Sequence, residues 1–390
     1  MNYDFSTIVN RDNIGSLKNV MTPEVLREKG LVSFAAGEMD FPTCPALNEA
    51  VRRVAENGLY GFTLKDSNYL DHVVWWMKNA RDWDIARDWV VTAYGTIFTL
   101  AICIRAFLKE GERMIVQPPF YSRYKQAADR IGRETVYNPL KLNGSRYEID
   151  LEDLEEKMAD PANKLLVLCN PLNPSGTVFT REELRQVGLL SQKYGVYVLS
   201  DEIFAEVLLH GDKVTPYVSI EECRDYGITC TSLGKTFNLT GVNHVNVIIP
   251  DDELRERFEK QRTSDHYGSI DPCAYAMTVG AYSPEGLEWV NEMCGVVRYN
   301  SDYVHEFMRT KLPMFPIMDT EASFVCWIDF SSLGLCGEEL ENELLEKALF
   351  HIDPGTDYGP YHGGWARMNL ASTTEQIVAA MDRLYAAFGR

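Results

Sequence analysis

Ser232-Leu233-Gly234-Lys235-Thr236-Phe237-Asn238 decides how this chain is read. The lysine follows a short apolar run, 228–231, in a turn of hydroxyl-bearing residues and glycine. A lysine so placed is sterically open, and its amine can condense with an aldehyde to form an imine. That chemistry needs a cradle for the molecule that carries the aldehyde, so the rest of the chain has to be searched for one.

Apolar runs fall at 89–93, 113–117, 164–169, 196–200, 228–231 and 245–249, with amphipathic runs at 96–109, 122–131, 181–194 and 252–262 between them. This alternation predicts a largely parallel sheet covered by helices on both faces. Past residue 284 the pattern changes to a long helix (286–311), a strand (323–330), a helix (337–348), a glycine-rich loop, a short strand (366–370) and a closing helix. That order reads as a smaller α+β domain. The expected organisation is an N-terminal segment, 1–40, packing with the small domain, a large domain over 41–284 and the small domain over 285–390.

Composition narrows the function. The chain has 390 residues, 45% hydrophobic and 24% charged, enough apolar material for a large core. A net charge of −19 argues against a nucleic-acid partner, because phosphate binding needs a basic surface. No run approaches the roughly 18 apolar residues of a membrane span, and Met1-Asn2-Tyr3-Asp4-Phe5 lacks the basic and apolar regions of a secretory leader. Nine cysteines without a CxxC pair read as reduced thiols of a cytoplasmic protein. The seven histidines show no HxH or HExxH spacing, so no metal is expected.

Three further stretches carry chemistry. Gly95-Thr96-Ile97 opens a helix directly after an apolar strand, and free amides at a helix start bind anions. Asn170-Pro171-Leu172-Asn173-Pro174 ends another strand in a loop stiffened by its prolines, which fix the approach of Asn173. Asp201 ends the strand 196–200, and open α/β sheets bind ligands at the carboxyl ends of their strands.

Read in order, Gly95, Asn173, Asp201 and Lys235 resemble the fold-type-I pyridoxal 5'-phosphate (PLP) enzymes of the class I/II aminotransferase superfamily. Gly37-Glu38-Met39-Asp40-Phe41-Pro42, Tyr60-Gly61-Phe62-Thr63, Arg81-Asp82-Trp83, Gln117-Pro118-Pro119-Phe120-Tyr121 and Ala366-Arg367-Met368-Asn369 narrow the likeness to the MalY/PatB group of C–S β-lyases. The resemblance implies a large α/β/α domain, a small α+β domain and a homodimer with shared active sites. It implies that Lys235 forms the imine with PLP and serves as the base at the substrate Cα. Asp201 would pair with the ring nitrogen, Asn173 would donate to the ring oxygen, and Tyr121 would stack on the ring. Gly95, Thr96, Ile97 and Ser232 would hold the phosphate, with Tyr60 contributed from the partner. Arg367, with Asn173 and Gly37, would bind the amino-acid substrate, the arginine taking the substrate's α-carboxylate in a bidentate grip.

The chain departs from the family pattern at Phe204, where relatives carry Tyr or His, at Asn243 for a phosphate-binding Arg, at Phe62 for Tyr and at Gly234 for a small hydroxyl residue. Three activities stay compatible with these residues. They are β-elimination from cystathionine, cysteine or an S-conjugate, transamination of an α-amino acid, and a non-catalytic regulatory role.

Overall fold

The structure is a computed structural model, and it describes residues 2–389. Its main sheet has seven strands in the order β1-β9-β8-β7-β6-β2-β3. In chain order these are β1 (Val90–Ala93), β2 (Arg113–Val116), β3 (Thr135–Tyr137), β6 (Asn163–Cys169), β7 (Tyr197–Asp201), β8 (Gly227–Thr231) and β9 (Val245–Ile248). Between β3 and β6 lies a separate hairpin of β4 (Lys141–Asn143) and β5 (Arg146–Glu148). The five strands from β8 to β3 run parallel, whereas β9 opposes both of its neighbours. The fold is therefore α/β with a mostly parallel sheet, as the alternation predicts.

Burial explains why the central strands read as continuous apolar runs. β6 and β7 are buried along nearly their whole length, the condition of a parallel strand covered on both faces. The helices Gly95–Phe107 and Arg181–Tyr194 are among those providing the cover. The second of these starts at Thr180, whose hydroxyl accepts from the Glu183 amide while the Glu183 carboxylate accepts back from the Thr180 amide. This capping box satisfies donors that would otherwise be orphaned.

The edge strand β3 and the β4–β5 hairpin were not among the expected strands. Each has three residues, too few for an alternation to show, and the hairpin turns at Gly144-Ser145, where Gly144 has φ +62°.

A second, antiparallel sheet in the order β10-β12-β11 combines β10 (Val325–Asp329), β11 (Asp353–Pro354) and β12 (Trp365–Asn369). The N-terminal segment runs against it. The Phe34 amide donates to His351 O at 2.9 Å, Asn369 N donates to Phe34 O at 2.8 Å, and Asp40 N donates to Ala371 O at 2.9 Å. Residues 36–41 are thereby suspended between the small sheet and the carboxyl ends of the main strands. Among the described residues no helix is long and apolar enough to cross a membrane, and no group of acidic, His or Cys side chains is arranged to hold a metal. All nine cysteines are free thiols.

Candidate active site

Strand register sets the centre of the site. Cys169 pairs with Asp201 and Asp201 with Cys230, so β6, β7 and β8 end in one line and the segments that follow them face a common cleft. After β8 the chain does not form the open turn expected around Lys235. Ser232 instead caps a single helical turn, Leu233–Thr236, accepting from the Gly234 amide at 2.9 Å. A Cβ on Gly234 would lie 3.1 Å from that hydroxyl, a tight contact. The capping oxygen also donates weakly to His244 O at 3.4 Å, so Ser232 is engaged within its own turn.

Lys235 is half-buried rather than open. Its Nζ donates to Gly37 O at 2.6 Å and lies 5.7 Å above the Phe204 ring. A Cβ on Gly37 would stand 2.8 Å from that nitrogen, so glycine lets the 36–41 segment pass directly over the lysine. Asn238 (φ +56°) fixes this segment, accepting from Met39 N at 2.9 Å and donating to Met39 O and Phe41 O. Asn369 holds the other end through Ala36 O and Glu38 O. Burial, and then the neighbouring Arg367, push the Lys235 amine down to about 8, against the pull of Glu38, Asp201 and Asp353.

Asp201 is 3% exposed, and burial raises its carboxyl to about 6. Two donors resist that rise: the Tyr124 hydroxyl, bonded to Oδ2, and Ile203 N, 3.3 Å from Oδ1. Across the cleft, Arg367 on β12 turns Nε and Nη2 to Asp353, whose carboxylate also accepts from Ala36 N at 3.1 Å. Nη1 donates to Asn173 Oδ1 at 2.9 Å, leaving the Asn173 Nδ2 free to donate elsewhere. The expected bidentate grip of Arg367 on a ligand is thus modified, since one edge of its fork already belongs to Asp353.

Phe204 is buried against Phe324, ring centroids 5.2 Å apart, and provides an apolar floor where the resemblance leads one to expect a polar group. Tyr121 is partly exposed and meets Tyr124 edge-on at 5.8 Å. At the end of β1, Gly95 has φ +80°, a conformation that favours glycine, and open space where a Cβ would sit. The helix beginning there carries no side-chain cap, so its first amides point outward. Asn243 is exposed and takes no part, while Tyr60 and Phe62 lie on an exposed stretch outside the cleft.

Sequence reasoning missed Tyr124, Asp353 and Asn238. Tyr124 stands three residues after Tyr121, the one local signal available. Asp353, in Asp353-Pro354-Gly355, looks like a turn former, and its partner lies fourteen residues away.

The profile of the family "Aminotransferase class I and II" matches residues 29–384. The chain belongs to this family. Cystathionine beta-lyase PatB of Bacillus subtilis is 33% identical over 373 residues, covering 95% of this chain and 96% of the relative. Protein MalY of Escherichia coli is 25% identical over 378 residues, 96% of each. Among solved structures, cystalysin from Treponema denticola, which contains a pyridoxal 5'-phosphate cofactor, superposes with a TM-score of 0.92 at 29% identity over 99% of both chains. The family assignment makes this chain an enzyme of the fold-type-I class.

The cofactor of that class is PLP, and the residues gathered here fit it. A lysine of depressed basicity, a buried carboxylate, a free amide donor, uncapped helix amides beside Gly95 and an exposed aromatic ring surround one cleft. The depressed lysine has a measurable consequence. Capture of PLP by the apo-protein, followed by absorbance, is expected to accelerate with pH up to about 8 and then level off, because the amine is the attacking form. Continued acceleration beyond about pH 9.5, the behaviour of an unperturbed lysine, would contradict the buried setting.

Proposed function

We propose that this enzyme is a PLP-dependent C–S β-lyase that cleaves cystathionine, cysteine or a related S-substituted amino acid to pyruvate, ammonia and a thiol. The observation that carries this reading is the full-length likeness to PatB in a chain whose cleft joins Lys235, Asp201, Asn173 and Arg367. When bound, PLP supplies an aldehyde for amines and an electron-withdrawing ring that stabilises charge at the substrate Cα.

The chain's own residues would do the rest. Lys235 anchors the cofactor and removes the Cα proton, a task suited to an amine held near neutral basicity. Asp201 keeps a proton on the ring nitrogen, Asn173 Nδ2 donates to the ring oxygen, and Tyr121 covers a ring face. The amides of Thr96 and Ile97, with Gly95 giving room, receive the phosphate, and Ser232 joins them if its hydroxyl turns from His244 O. Arg367 takes the substrate carboxylate on the N–H groups that Asp353 leaves free, with Asn173 alongside. The 36–41 segment, with Gly37 above Lys235, screens this side from water.

The test is incubation of purified enzyme and PLP with cystathionine in the absence of any keto acid. Catalytic formation of pyruvate is expected. Product that forms only after a keto-acid acceptor is added would replace the lyase reading with transamination.

We further propose that the working unit is a homodimer built on the exposed 59–64 stretch. Phe62 is 98% exposed and Tyr60 65%, beside a cavity of about 750 Å³ lined by Ala46, Ala50, Leu59, Tyr275 and Val279. Apolar surface of this kind marks a protein interface, and it would bring Tyr60 to the partner's phosphate site. Sedimentation is expected to give a dimer for the wild type and a monomer for Phe62→Glu. A monomeric, fully active wild type would contradict it.

A further inference from the structure

The Tyr124 hydroxyl is a buried group that the proposed mechanism leaves without a task. The side chain is 2% exposed, on the first turn of the helix Arg123–Ile131, and its hydroxyl donates to Asp201 Oδ2. Around it lie Cys169, whose Sγ is turned to Pro171 O at 3.3 Å, and the edge of Tyr121. The side chain is almost fully buried, and burial, with the neighbouring Asp201, holds the phenol well above its ordinary pKa. It is therefore a permanent donor.

We infer that Tyr124 is a positioning residue that keeps Asp201 ionised and aimed, and so holds the shared proton on the cofactor's ring nitrogen rather than on the carboxylate. Asp201 sits where burial favours its neutral form, and a neutral Asp201 leaves the ring nitrogen without a proton. One proton is shared between the two sites, and a hydrogen bond to the carboxylate stabilises only the state in which Asp201 is the anion. The Ile203 amide, at 3.3 Å, is the weaker of the two donors. Tyr124 also fixes the orientation of the carboxylate, because Oδ1 and Oδ2 each carry one donor.

The inference rests on Asp201 meeting the ring nitrogen, and the test separates the two. Apo-protein is loaded with PLP labelled with 15N in the ring, and the nitrogen chemical shift is read at neutral pH for wild type and Tyr124→Phe. The wild type is expected to show a protonated nitrogen and the variant a shift toward the unprotonated value. The variant's kcat should fall about tenfold with KM within about twofold, the pattern of a group acting on the chemical step. A protonated nitrogen in both proteins overturns the role of Tyr124. An unprotonated nitrogen in the wild type overturns the placement of Asp201 itself. Fluorotyrosine at position 124 keeps the ring's shape and a stronger donor, and should retain the wild-type shift; if it behaves as phenylalanine does, the effect is one of packing and the inference fails. Cys169→Ala, beside the hydroxyl but outside the bond to Asp201, should leave the nitrogen shift unchanged, and a loss of the shift there also overturns it.

Discussion

Replacing Lys235 with alanine is expected to remove the cofactor's absorbance band near the visible edge and to cut turnover by about 10²–10⁴-fold through lost proton transfer alone. The loss of the covalent anchor adds to that figure. The same residue makes a prediction of opposite sign for stability. The folded-state amine sits near 8, below the usual lysine value of 10.5, because burial and Arg367 oppose its charge. The unfolded chain therefore binds more protons between those two values, so this group's contribution to apo-protein stability rises with pH from about 8 to about 10.5. Below that window the group costs on the order of a few kcal/mol. Lys235→Met, which keeps the length of the stem, should accordingly give an inactive apo-protein that melts above the wild type at neutral pH. Equal or lower melting of the Met variant would show that Gly37 O and the acidic neighbours fully compensate the buried charge.

Arg367→Ala should be the most damaging substitution at the substrate end. Two losses combine. The substrate carboxylate loses its cation, which raises KM and lowers kcat/KM by about 10²–10³-fold for a charge-assisted pair worth roughly 3–4 kcal/mol. Asp353, largely buried, loses the partner that justifies its charge. Breaking a buried pair by removing one member costs about 3–5 kcal/mol, so the variant should also be destabilised. Adding Asp353→Asn to Arg367→Ala should recover much of the stability and none of the activity. If the single variant is as stable as wild type, the Arg367–Asp353 pair is not the structural clamp between β11 and β12 that the geometry indicates.

Four of the residues read from sequence end or directly follow a strand of the main sheet, and Arg367 lies in β12. Lys235, Asp201 and Asn173 follow β8, β7 and β6, and an apolar run that stops at a polar residue announces such a position. Gly95 was legible for the same reason. What could not be read are the long-range partners. Asp353 joins Arg367 across β11 and β12, Asn238 grips Met39 and Phe41 from nearly two hundred residues away, and Tyr124 reaches Asp201 from a helix after β2. None of these pairings leaves a local pattern, because each depends on how separate elements pack.

Local backbone around the lysine was also misjudged. Glycine and hydroxyl residues suggest a turn, yet Ser232 turned inward to cap a helical turn, and tertiary contact with Gly37 covered the amine. At the fold level the large sheet followed from alternating apolar runs, while the three-residue strands β3, β4 and β5 were too short to carry a period. Phe204, read from sequence as a missing polar contact, has a positive place in the structure as the apolar floor below Lys235.

The most direct test of the central claim is to reduce the PLP-loaded enzyme with borohydride, digest it and map the modified lysine by mass spectrometry. One phosphopyridoxyl group per chain, on the peptide containing Lys235, is the expected result. Modification at any other lysine, or none after loading with PLP, would contradict the account.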